Sequence, residues 1–356
     1  MFAVSLIHAY FHSLGAGVLS LPAGVAAMGD ISGALIPASV LLSVLGLLSA
    51  YSFYSIGRTC AQEKASSLGE AWEKIIGKDS AWMVTLSCLV TPLGAALAYS
   101  IVLGDFFSSL ARSAGVKGVL AMRQTSILVV TLLALYPLCL LKSLAALAPV
   151  SIIGVISVLL TAVFMSIRAL DGTYAAGGTF LSSLSASLQP SFGKRGLNVI
   201  SPSILVLTSM GATAYLAHFT APDFYLNLKN NTMKRFKVLT TLGFGVTAAV
   251  SILMMCAGFL TFGGNSSGMI LNNYSAMDFG ATICRLLMSI SLIGSYPFVF
   301  GAMKSNFIEM TQKGTLMNHK EKCFYFLFEG KGRWTRDTSF QLSCSFPSSF
   351  RQRSHR

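Results

Sequence analysis

The chain has 356 residues, is 53% hydrophobic and carries only 11% charged residues, against about 25% in soluble domains, which excludes an ordinary soluble globular protein. Its apolar residues fall in long runs rather than in a 3.6-residue stripe, as membrane spans do. The net charge of +13 does not point to nucleic acid, because the Lys and Arg residues lie in the gaps between apolar runs, where they set membrane orientation.

Eight spans are predicted, at about residues 2–28, 33–57, 81–110, 125–141, 144–169, 198–220, 236–262 and 279–303, within one membrane domain over 1–308. The first begins almost at Met1 and is too long for a cleavable signal peptide, so it reads as a retained span. It is interrupted by Gly15-Ala16-Gly17. Each glycine weakens a helix interior by roughly 1 kcal/mol relative to alanine. In lipid a loosened backbone is tolerated only where protein or a watery cavity supplies hydrogen-bond partners, and interrupted membrane helices mark substrate sites near the bilayer midplane.

After the second span, residues 58–80 are polar, and Leu68, Ala71, Trp72, Ile75 and Ile76 are spaced as an amphipathic surface helix. Residues 172–194 are Ser- and Gly-rich and predict a mobile loop. The sixth span repeats the pattern of the first, with Ser209-Met210-Gly211-Ala212-Thr213 at its middle. Two N-glycosylation sequons begin at Asn265 and Asn273, and Arg285 lies about two turns into the eighth span. It is expected to snorkel or to pair with Asp278 or Asp105. Residues 309–356 form a basic, polar tail predicted to be disordered, and its aromatic patch at 324–328 is too short to cross a bilayer.

Lys and Arg placement puts the N-terminus on the cytoplasmic side. The 263–278 loop with both sequons is then outside. Of the seven cysteines, Cys60, Cys88, Cys139, Cys256, Cys284, Cys323 and Cys344, none forms Cys-x-x-Cys, so neither a disulfide framework nor a zinc site is indicated. His8 and His12 share a helical face, but no carboxylate or cysteine accompanies them. No metal and no cofactor is therefore expected. No serine-hydrolase elbow, zinc-protease motif or intramembrane aspartate pair is present, which argues against an enzyme. Two broken helices offer N–H groups to a carboxylate and carbonyls to a cation or an ammonium group. A zwitterionic amino acid carries both groups.

Four stretches carry a resemblance to a known family. They are Gly15-Ala-Gly-Val-Leu-Ser-Leu-Pro22; His218 with Pro222, Tyr225, Leu228 and Lys229; Gly258-Phe-Leu-Thr-Phe-Gly263 with Ile270-Leu271 and Asn273-Tyr274; and Arg285 through Tyr296-Pro297 to Lys304-Ser305. Together, over about residues 5–308, they resemble the amino acid/auxin permease family, in particular its sodium-coupled neutral amino acid transporter branch. The resemblance implies an all-α, polytopic membrane helix bundle with an 11-helix, five-plus-five inverted-repeat fold, and secondary active transport of amino acids coupled to sodium or protons. On it, Gly15, Ala16, Gly17 and Val18 would contact the substrate through their backbone, and Ser209, Gly211 and Thr213 would form the facing half of the pocket. Ser295 would be a cation ligand. The branch's asparagine before the first-span glycines is missing here, where Phe11 and His12 stand, so His12 becomes a candidate for proton coupling. The family's last three helices have no counterpart, so the second repeat is incomplete and a truncated gene product is expected. The rival readings are a non-transporting amino acid sensor and a non-functional product. The expected partners are a small amino acid and the lipid bilayer, not nucleic acid, in a plasma membrane or a vacuolar or lysosomal membrane.

Overall fold

The computed structural model describes residues 17–140, 148–194, 196, 202–226, 228 and 231–313. The chain divides into two units after residue 315, and the second unit lies outside the described residues. Within the first, a 3-10 turn at Gly17–Ser20 leads into α1 (Leu21–Met28). Then follow α2 (Leu35–Gln62), α3 (Leu68–Ile75), α4 (Lys78–Ser113), α5 (Arg123–Cys139, with a π-helical turn at Thr131–Leu135) and α6 (Ala148–Leu170). The second half holds α7 (Ile204–Ala214), α8 (Ala221–Leu226), α9 (Met233–Phe262) and α10 (Phe279–Lys313). The described residues contain no strand; Ser191 and Gly263 form an isolated bridge.

Among the described residues, six segments are long and apolar enough to cross a membrane: Ser32–Gln62, Lys78–Ser113, Ile152–Leu170, Ile204–Leu226, Met233–Phe262 and Phe279–Thr311. The protein is therefore an all-α, multi-pass membrane bundle. Its outward faces are apolar, with Ile36, Leu47, Tyr51 and Leu133 each more than 70% exposed, which suits a surface whose solvent is lipid. Lipid tails do not drive helices together, so the contacts rely on close approach at small residues. Gly57 of α2 seats the ring of Phe236 from α9, Gly104 of α4 seats Ile127 of α5, and Gly154 of α6 meets the Ser291 hydroxyl of α10. Along these seams α10 lies against α4 and α6, and α9 lies against α2 and α6.

One end of the bundle is closed by a polar network. The Arg168 guanidinium, at the end of α6, donates to both oxygens of Asp278, at 2.8 and 2.9 Å, and to Asp171 at 2.6 Å. It also sits 5.5 Å from the Phe164 ring centre and 5.4 Å from that of Phe180. Asp278 has no exposed surface. It further accepts the Tyr174 hydroxyl at 3.0 Å and the backbone N–H of Gly280 at 3.0 Å, so it caps α10 as well. Burial pushes the Tyr174 hydroxyl up from its ordinary range. Burial also acts to raise Asp171, but the Thr173 hydroxyl and amide and the Arg168 charge outweigh it and hold that carboxyl below the usual range.

Residues 172–194 are accordingly tied down rather than loose. Tyr174 bonds Ser275, Ser183 bonds Ser275 at 2.8 Å, and the Gln189 carbonyl accepts from Asn265 at 2.8 Å. The expected Arg285 ion pair is corrected. Asp278 pairs with Arg168, and Asp105 pairs with Arg123 at 2.9 Å. Arg285 is 2% exposed and donates to the carbonyls of Leu271 and Tyr274.

The sequon at Asn273 is a structural element. Its side chain is fully buried, donates to the Asn265 carbonyl at 2.8 Å and accepts the Ser267 N–H at 2.9 Å. A glycan on that nitrogen is incompatible with this loop, so peptide mapping after expression in a glycosylating host is expected to find Asn273 unmodified. A glycan there in folded protein would contradict the loop geometry.

At the start of α3, Ser67 accepts the Glu70 N–H at 3.0 Å and donates to Glu309 of α10 at 2.9 Å. Glu70 accepts from Lys74 and from both the amide and hydroxyl of Ser66, and these contacts hold its carboxyl at about 2. A lowered folded-state value stabilises above the ordinary carboxyl range, and that stability is lost as pH falls toward 2. Backbone protection of α3, measured by hydrogen exchange corrected for intrinsic rate, should therefore be unchanged between about pH 7 and 5. It should fall in Glu70→Gln, and a loss of protection already at about pH 5 would refute the assignment.

Candidate substrate site at two interrupted helices

The sixth span is not a through-going helix, and the described part of the first span is a 3-10 turn that leads into a short α-helix. The α1 helix has eight residues, about 12 Å at 1.5 Å per residue, well short of the roughly 30 Å hydrocarbon core. The turn before it winds more tightly, and the Ser20 hydroxyl donates back to the Gly17 carbonyl at 2.7 Å. Pro22 stands in the first turn of α1, where its missing N–H leaves no gap.

The α7 helix has eleven residues and stops at Ala214. Its last turn is closed by Tyr215 N–H on the Gly211 carbonyl and Leu216 N–H on the Thr213 carbonyl. Residues 215–217 are not helical, and a 3-10 turn at His218–Thr220 leads into α8.

These two half-helices lie directly on each other. A methyl group at Gly17 would stand 3.0 Å from Ala214 Cα and 3.1 Å from its nitrogen. One at Gly24 would stand 2.7 Å from Leu207 Cδ1 and 3.0 Å from Leu207 Cα. Residue 17 opposite 214, and 24 opposite 207, fixes the two as antiparallel. The turn that opens α1 thus sits beside the C-terminal end of α7, and helix ends of opposite sense carry partial charges of opposite sign.

The residues expected at a site fall into distinct positions. Val18 and Leu19 are buried, backbone and side chain together. Ser209 and Thr213 are exposed, with their hydroxyls donated to the carbonyls of Val206 and Ser209, each at 2.9 Å. With exposed Ala212 they make one face of small residues along α7. Gly211 faces elsewhere: a methyl there would strike Leu42 at 2.8 Å and Leu45 at 2.9 Å, so it allows α7 to approach α2. Ser295 is 4% exposed on α10, and its hydroxyl donates to the Ser291 carbonyl at 2.9 Å. Gly15, Ala16 and His12 lie outside the described residues.

Three contributors had not been singled out. Ser20 locks the turn, Gly24 carries the second close approach, and fully buried Tyr215 bonds the Leu42 carbonyl at 3.1 Å just past the break. The seven-residue spacing of Gly17 and Gly24 was a usable signal for a helix-packing face.

Comparison with known proteins agrees with this architecture. The chain is 23% identical over 291 residues to "Vacuolar amino acid transporter 2" of Saccharomyces cerevisiae, covering 80% of this chain and 57% of that protein. It is 24% identical over 290 residues to "Putative sodium-coupled neutral amino acid transporter 11" of Danio rerio, covering 80% and 60%. It is 26% identical over 289 residues to "Vacuolar amino acid transporter 5" of Schizosaccharomyces pombe, covering 80% and 63%. The chain thus spans about three fifths of the length of the curated relatives it matches. The sequence profile of the family described as "Transmembrane amino acid transporter protein" matches residues 3–329, past the region where the four motifs lie. With nearly the whole membrane unit inside that match, the chain belongs to the transmembrane amino acid transporter family.

Proposed function

We propose that this protein is a secondary active carrier for neutral amino acids, working by alternating access around its interrupted first and sixth spans. The observation that carries the reading is the antiparallel meeting of the two half-helices at Gly17 and Ala214. The N–H end of α1 suits a carboxylate and the carbonyl end of α7 suits an ammonium group, and an α-amino acid presents both on one carbon. Gly15, Ala16, Gly17 and Val18 supply backbone contacts. Ser209, Gly211 and Thr213 belong to the facing half, with Gly211 setting the position of α7 and the small exposed residues lining the passage.

Sodium or protons drive the flux in this reading. Ser295 is proposed as a cation ligand, because a hydroxyl that donates to Ser291 still has lone pairs for an ion. His12 is the proposed first-span proton site. The chain sits with its N-terminus in the cytoplasm, in a plasma membrane or a vacuolar or lysosomal membrane, and its helices belong to a five-plus-five inverted repeat. The names of the yeast and fish relatives support amino acids as cargo. The test is uptake of labelled neutral amino acids into proteoliposomes under an imposed sodium or proton gradient. Gradient-driven accumulation is expected. Binding of the same amino acids without any flux would replace the carrier with the sensor reading.

A further inference from the structure

His218 opens the 3-10 turn just after the 215–217 break. Its Nε2 lies 2.7 Å from the Ser52 hydroxyl of α2, and its ring also bonds the Ser49 carbonyl. The same Ser52 hydroxyl is within donating distance of the Leu48 carbonyl, at 2.9 Å, and the Ser49 carbonyl, at 3.2 Å. A hydroxyl has one proton to give and lone pairs to receive with. Beside an unprotonated Nε2, Ser52 gives its proton to the ring. Once Nε2 is protonated, the ring donates to Ser52, whose own proton turns to the Leu48 carbonyl. The contact persists with its direction reversed, and the protonated state gains the Ser52–Leu48 bond.

Around the ring stand Phe53 and Phe244, each with its ring centre 6.4 Å away. The charged side chains on the elements packed here are Arg58 on α2, Asp223 on α8, and Lys234, Arg235 and Lys237 at the start of α9. Asp223 favours the protonated ring and the basic groups oppose it. The break is held to α2 at two points, by Tyr215 on Leu42 and by His218 on Ser49 and Ser52. A proton on His218 strengthens the second point.

We infer that His218 takes up and releases a proton during transport, and that its charged form clamps the end of the broken sixth span to α2. The inference rests on the carrier reading above. The experiment is amino acid uptake by the reconstituted full chain across about pH 5.5 to 7.5, the range in which an imidazole titrates. It is paired with mass-spectrometric thiol labelling of Ala217→Cys in the same chain. Uptake should change about fivefold across this range, should lose that dependence in His218→Asn, and should shift by about one pH unit in Ser52→Ala. If His218→Asn does not reconstitute, His218→Gln takes its place. A His218 variant with the wild-type pH profile overturns the inference. Absence of uptake at every pH overturns the carrier reading alone, and labelling then decides. Labelling at 217 that varies with pH in wild-type background and not with His218→Asn upholds the proton site, whereas pH-independent labelling in wild-type background overturns it.

Discussion

Asp278→Ala is expected to unfold the protein's capped end. The substitution strips a fully buried carboxylate that accepts two bonds from Arg168, one from Tyr174 and the N–H of Gly280. Removing one partner of a buried ion pair costs about 3–5 kcal/mol, and Arg168 would keep only its bond to the partly exposed Asp171. That is a large part of a typical stability of about 5–15 kcal/mol. The measurement is the fraction recovered as a monodisperse peak in detergent, with the thermal midpoint of that peak. A large loss of both is predicted. Asp278→Asn should retain more, since it keeps an acceptor for Arg168 and Tyr174. Adding Arg168→Met to Asp278→Ala should recover part of the loss, because the guanidinium that has lost its buried partner then goes too. A Tm within a degree or two of wild type for Asp278→Ala would show that the clamp is not structural.

Gly17→Ala should spare the fold more than the site. Its added methyl meets the Ala214 backbone at 3.0 Å. No rotamer can relieve that contact, so the two half-helix ends must part by several tenths of an ångström. The ligand then loses hydrogen bonds to charged groups, worth about 1.5–3 kcal/mol each. Loss of one such bond weakens binding by roughly 10- to 100-fold, with a parallel drop in uptake. Gly17→Val should abolish both. Gly245→Ala is the control: nothing lies within 4 Å of the methyl it would add, and it sits inside α9, so it should be neutral or slightly stabilising. Binding within twofold of wild type for Gly17→Ala would remove Gly17 from the pocket.

How much of this was legible in the sequence depended on the range of the interaction. The spans and the amphipathic α3 follow from local composition and period, which need only near neighbours. The glycines at 17 and 211 were visible as anomalies, but composition cannot distinguish a glycine that bends a helix from one that seats a neighbour. Gly17 seats against the Ala214 backbone. Gly211 seats against Leu42 and Leu45, and the actual break in the sixth span falls later, at 215–217. Partner choice among charges was illegible for the same reason. Arg168 and Asp278 lie 110 residues apart, and only the docking of α6 on α10 decides that Asp278 serves Arg168 while Arg285 turns to carbonyls. The burial of Asn273 was illegible because a three-residue sequon carries no information about burial.

In the proposed site, α1 and α7 present opposite helix ends to a zwitterion. The most direct test is equilibrium binding of a labelled neutral amino acid to the purified chain, in competition with two analogues, one lacking the carboxylate and one lacking the amino group. Both analogues should compete at least about tenfold less well than the parent, since each forfeits a charge-assisted contact worth 1.4 kcal/mol or more. Equal competition by either analogue would contradict the paired helix ends as the substrate site.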